Sequence, residues 1–126
     1  NRMVMAYGFL KRVFEVFEKY RTPIDMITTS EIAVSLTIDN PEHLREIKQE
    51  ISQYATVEID TEQTIICIVG DLIAERKGVG SAIFEALDDI PIRMISYGGS
   101  RNNISLLVPQ DYKKDSLIKL HKALFS

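Results

Sequence analysis

The chain holds a single cysteine, which excludes an internal disulfide and makes a reducing, cytoplasmic compartment the expectation. No apolar run approaches the roughly 20 residues that a membrane-spanning helix needs. Residues 1–7 carry no hydrophobic segment of the kind a secretory leader requires, and they do not read as a natural start, so a piece of a longer protein is expected. Concentrated basic charge is also missing. The net charge is −3, and Arg76-Lys77 and Lys113-Lys114 are isolated pairs, which excludes a nucleic-acid surface. Catalytic signatures are equally scarce: there is no Walker loop, no Gly-x-Ser-x-Gly elbow and no His/Cys/carboxylate cluster at metal-ligand spacing. His43 and His121 fall on solvent-facing helix positions, and Gly78-Val79-Gly80 lacks the third glycine of a dinucleotide fingerprint. A free-standing enzyme is therefore disfavoured. Cys67, inside the apolar run Ile65-Ile66-Cys67-Ile68-Val69, is expected to be a buried strand thiol.

What the chain does contain is an internal repeat. Gly8-Phe9-Leu10-Lys11-Arg12-Val13-Phe14-Glu15 reads onto Gly78-Val79-Gly80-Ser81-Ala82-Ile83-Phe84-Glu85 at an offset of 70 residues. The second copy then drops two residues, so that Pro23-Ile24-Asp25-Met26-Ile27-Thr28 falls on Pro91-Ile92-Arg93-Met94-Ile95-Ser96. The original offset returns at Ser35-Leu36 and Ser105-Leu106. Two copies of one unit predict two small domains, residues 1–61 and 62–126, whose pairing creates interfaces for small ligands.

Periodicity assigns the elements. Phe9, Leu10, Val13, Phe14, Val16, Phe17 and Tyr20 form one helical stripe, which Pro23 ends. Residues 24–29 and 32–38 read as strands joined by a short polar turn, hence an antiparallel hairpin. Asp39-Asn40-Pro41-Glu42 signals a helix start, and residues 56–60 read as a strand. The second copy reads as strand 64–69, helix 79–87, strands 92–97 and 103–108, and helix 112–125. The copies are thus αββαβ and βαββα. Each is one strand short of the ferredoxin-like βαββαβ unit, an α+β fold with an antiparallel sheet and helices on one face. Placing both missing strands upstream of Asn1 is the simplest completion.

Two groups of residues suggest ligand chemistry. Gly8-Phe9-Leu10 stands at the first helix start, where free backbone N–H groups and the helix dipole favour a carboxylate. Asp25, followed by Thr28-Thr29-Ser30-Glu31, is a carboxylate in only one of the two copies, since the second has Arg93. The shared fold does not explain it, and a ligand ammonium would. Together they suggest an amino acid. A plain helix boundary at Gly8 and an exposed strand-start Asp remain equally open on the residues alone.

At these residues the chain resembles a known family. Met3 to Phe17 and Pro23-Ile24-Asp25-Met26-Ile27-Thr28-Thr29-Ser30-Glu31 resemble the regulatory region of aspartate kinases. Ile92-Arg93-Met94-Ile95-Ser96-Tyr97-Gly98-Gly99-Ser100, Asn103-Ile104-Ser105-Leu106 and the closing Lys119 to Phe125 are similar to its carboxyl-terminal ACT module, so the likeness spans the chain. The resemblance implies two ACT domains, one inserted in the other, with strands from a preceding segment completing both. It implies a kinase domain elsewhere that phosphorylates aspartate with ATP and Mg, leaving this stretch non-catalytic and without a cofactor of its own. The Thr-Thr-Ser-Glu form resembles the lysine-sensitive enzymes. Carried over, Gly8, Phe9 and Leu10 hold the effector carboxylate through their amides, Asp25 pairs with an effector amino group, and Met3, Ile24, Ser30 and Glu31 line the pocket. L-Lysine at a homodimer interface between first units is then the expected effector. Two alternatives stand beside it: threonine as effector, and a ligand-free assembly module. Met5-Ala6-Tyr7, standing where the lysine-binding relatives are more polar, favours the second.

Overall fold

The computed structural model describes residues 6–30 and 33–125, with side chains from Gly8 onward. The chain forms two units, Asn1–Ile59 and Asp60–Ser126.

In the first unit the apolar stripe makes helix α1 (Ala6–Lys19), which buries Val13, Val16 and Phe17 and leaves Lys11, Arg12, Glu15 and Glu18 in solvent. Phe14, part of the expected stripe, lies at its edge and is exposed. The helix ends where Arg21 turns left-handed (φ 51°) and the Thr22 N–H donates to the Phe17 carbonyl at 2.9 Å. Pro23 cannot resume it. Strands β1 (Ile27–Thr29) and β2 (Val34–Leu36) pair antiparallel, with Thr28 opposite Ser35. Both are shorter than their sequence patterns, but the ladder reaches back: the Asp25 N–H donates to the Thr37 carbonyl and the Thr37 N–H to that of Met26, each at 2.9 Å.

Helix α2 (Leu44–Ile51) begins after the expected Asn40-Pro41 start. Asn40 Oδ1 accepts the Glu42 N–H at 3.0 Å, and a turn over Glu42-His43 precedes the helix. Ile47 and Ile51 close the core against α1, with Tyr54 and Val57 packed on it. The strand expected at residues 56–60 does not form. This segment finds no ladder partner among the described residues; Val57 packs on the core and Asp60 pairs with Arg93.

The second unit is built from β3 (Gln63–Val69), α3 (Val79–Ala86), β4 (Met94–Ser96), β5 (Asn103–Pro109) and α4 (Lys113–Phe125). The sheet order is β3-β5-β4 with both pairs antiparallel. Strands β3 and β4 therefore run parallel with β5 between them, joined by the α3 crossover: a split βαβ arrangement. Ile66, Ile68, Ile104, Leu106 and Val108 point to one face, where they pack with Val79 and Ile83 of α3 and Leu120 of α4. Both helices thus cover the same face of an α+β unit, as the pattern predicts. Burying each such side chain stabilises the fold by about 1.5–3 kcal/mol.

Alternation on β3 corrects the reading of Cys67. Ile66 and Ile68 take the inward positions, so Ile65, Cys67 and Val69 face away from the helices and are exposed. The Cys67 thiol lies 3.5 Å from the Ser105 hydroxyl, its cross-strand partner.

Candidate functional site

Gly8, Phe9 and Leu10 occupy the start of α1. Gly8 is exposed, and a Cβ placed on it would meet nothing within 4 Å, so the backbone there is open to approach. Its amide lies in the first described turn of α1, toward the positive end of the helix dipole. The amide of Leu10 faces the Ala6 carbonyl one turn back, as in any regular helix begun at Ala6. Phe9 is half-buried and meets Tyr54 edge-on, with centroids 5.9 Å apart at 81°. Phe9 and Ile24 pack against the same core cluster, which ties the start of α1 and the approach to β1 to one scaffold.

Asp25 is exposed. Its backbone is fixed by the bond to Thr37, while its carboxylate has no hydrogen bond or ion pair among the described residues. Ser30 lies at the end of the β1–β2 hairpin, where its N–H donates to the Ala33 carbonyl at 2.8 Å and its hydroxyl to the same oxygen at 3.5 Å. No bond joins Asp25 to the amides of α1, so a ligand would have to bridge them. Met3 and Glu31 lie outside the described residues, as does Met5 of the more apolar stretch.

The second copy treats the equivalent positions differently. Arg93 is ion-paired with Asp60, and Gly78 caps α3 in a left-handed conformation (φ 83°). His43 is half-buried and His121 exposed, in ring contact with Tyr20 and Phe125 respectively. Among the described residues there is no group of three His, Cys, Asp or Glu side chains placed to hold a metal, and no helix long and apolar enough to cross a membrane.

Two features were not anticipated. The Glu50 carboxylate on α2 accepts from Lys19 Nζ at 2.7 Å and from the Tyr20 hydroxyl, clasping α1 to α2. The Lys19 bond, then that of Tyr20, holds the Glu50 carboxyl below the usual carboxylate range. Beside it Arg12 lies 4.1 Å above the Tyr54 ring, over a groove of about 240 Å³, and burial pushes the Tyr54 phenol up. The helical spacing of Lys19 and Tyr20 was legible. Their partner, 31 and 30 residues away, was not. The second feature is an apolar groove of about 760 Å³ between the edge strand β3 and α4, lined by Val69, Leu117, Ile118 and Phe125.

Two small α+β units, one a split βαβ and the other with an exposed Gly8 near a helix start and a carboxylate unpartnered among the described residues, have the character of a small-ligand regulatory module. Residues 66–124 match the family model of the ACT domain. Over 96% of its length the chain superposes on a solved structure described as a C-terminal regulatory domain of aspartate kinase from Porphyromonas gingivalis W83, at 45% identity, 83% of that chain and a TM-score of 0.86. The lysine-sensitive aspartokinase 3 of Escherichia coli K12 is 32% identical across 98% of this chain and 29% of its own length. The crystal structure of E. coli aspartokinase III in complex with lysine and aspartate (T-state) gives a TM-score of 0.81 at 34% identity, over 94% of this chain and 28% of that one. The chain belongs to the family of aspartokinase regulatory regions built from ACT domains. It spans about three tenths of the length of the curated relative, the part outside the kinase domain.

Proposed function

We propose that this region senses L-lysine and imposes feedback inhibition on an aspartate kinase. The observation that carries the reading is Asp25: an exposed carboxylate on a fixed backbone, with no partner among the described residues, present in the first unit and replaced by an ion-paired arginine in the second. The carboxylate suits an ammonium group, the open Gly8 amide suits a carboxylate, and lysine supplies both with an ammonium to spare for the acidic Glu31. Phe9, Leu10, Ile24 and Ser30 complete the lining, with Met3 beside them. The likeness to a lysine-sensitive enzyme solved with lysine supports the choice of effector.

Two first units meet in a homodimer and hold the effector at their interface. Lysine prefers one dimer arrangement, and the coupled kinase domains follow it to a less active state. A coupling of about 1–3 kcal/mol changes activity several-fold to a hundredfold. In the full cytoplasmic protein that activity transfers phosphate from ATP, with Mg, to the side-chain carboxylate of aspartate. This region contributes no catalytic group.

Thermal unfolding with a panel of amino acids tests the effector. L-Lysine alone raises the midpoint, because a ligand that binds only the folded state stabilises it by mass action. A rise with L-threonine and none with L-lysine overturns the lysine assignment. No rise with either favours the assembly module.

A further inference from the structure

Tyr54 stands just past α2, where its N–H and that of Ala55 both donate to the Ile51 carbonyl at 3.1 Å. That turn brings the ring onto α1. Phe9 meets it edge-on, with centroids 5.9 Å apart, and the Arg12 guanidinium covers it at 4.1 Å from the centroid. Phe9 and Arg12 stand three residues apart on one face of α1, so a single ring touches two positions one helical turn apart. Arg12 makes no hydrogen bond or ion pair among the described residues, which leaves the ring as the group it rests on. The Tyr54 hydroxyl is buried and has no hydrogen-bond partner among the described residues. A buried hydroxyl left unpaired costs free energy, so the ring and not the hydroxyl is what this position uses. Lys19 and Tyr20 hold the other end of the helix through Glu50.

We infer that Tyr54 is a positioning residue: its ring, gripped by Phe9 and Arg12, holds the turn of α1 that carries Gly8, Phe9 and Leu10 in the arrangement an effector carboxylate meets. Tyr54 acts through Phe9, not by touching the effector. Without the ring this turn samples other arrangements, and the observed affinity falls in proportion to the competent fraction. The positioning role rests on the lysine reading of the first unit. The bracing of α1 by the ring rests on geometry alone.

Two measurements on the 126-residue chain separate these claims. The first follows amide hydrogen exchange without ligand. Tyr54→Leu speeds exchange of the Leu10 amide by about twofold to tenfold, the worth of one aromatic pair. Arg12→Met, a change at an exposed position that keeps the stem and removes the cation, moves it the same way by less. Tyr54→Phe leaves it unchanged and keeps or raises the unfolding midpoint. Ile47→Val loosens the same core from elsewhere on α2 and lowers the midpoint without altering Leu10. Unaltered exchange in both Tyr54→Leu and Arg12→Met, or an equal gain in Ile47→Val, overturns the bracing. The second measurement titrates L-lysine calorimetrically into the same variants. Affinity weaker by about twofold to tenfold in Tyr54→Leu, and native in Tyr54→Phe and Ile47→Val, is expected. Native affinity in Tyr54→Leu, or an equal loss in Ile47→Val, overturns the positioning role. A native chain that takes no lysine overturns the lysine reading, while amide exchange still decides the bracing.

Discussion

Glu50 shows how one side chain can connect two helices and make their packing pH-dependent. Its carboxyl is held low by Lys19 and Tyr20, so its contribution is present above the ordinary carboxylate range and fades as pH falls through the depressed folded value. Lys19 and Tyr20 are both raised, first by their bonds to Glu50. Their contributions are present below the ordinary values of 10.5 and 10.0 and disappear as pH climbs through the folded ones. Glu50→Gln therefore lowers stability most between about pH 5 and 9, and the gap from the native chain narrows at both ends. The effect is modest and weakens with salt, because the clasp is exposed. Urea titrations across pH measure it. Cys67 makes a separate point at this scale. Its thiol faces away from the helices, so a disulfide exchange reagent titrates one thiol in the folded chain without denaturant. Reaction only after unfolding would return Cys67 to the interior.

Among the elements, long periodic segments were legible and short or tertiary ones were not. Helices α1, α3 and α4 and strands β3 and β5 follow their patterns, because each carries a stripe or alternation long enough to choose a face. Strands β1, β2 and β4 contract to three residues each, since few of their neighbours find a partner to extend the ladder. Residues 56–60 have a strand's composition without a strand's partner among the described residues, and composition cannot report that. The Asn40 side chain caps a turn before α2 instead of the helix itself, a choice made by a single hydrogen bond. The run around Cys67 misled because a continuous apolar stretch hides its phase. Only pairing with β5 shows which residues face the helices. At the candidate site, the carboxylate present in one copy was visible in the sequence. The bonds that tie Arg101 and Asn102 back to residues 70–75 were not, since they join segments far apart in the chain. The sheet core gives a direct test of element packing. Ile104 is fully buried between β3 and the helices, so Ile104→Ala costs about 2–5 kcal/mol in denaturant unfolding. A loss below 1 kcal/mol would place it outside the core.

For the whole molecule, the repeat carries different polar residues in its two copies. Each unit keeps its own core, so a change in one copy's polar residues need not disturb the other's fold. That freedom lets Asp25 and Arg93 diverge at equivalent positions, one left open and the other paired. The Asp25 carboxylate is proposed to receive an amino acid's ammonium. Isothermal titration of L-lysine into the native chain and into Asp25→Ala tests this. Saturable heat is expected with the native chain, and affinity weaker by about tenfold to a hundredfold in the variant, the cost of losing a charge-assisted partner. Equal affinity for both would contradict the role of Asp25, and heat from neither would contradict the sensor itself.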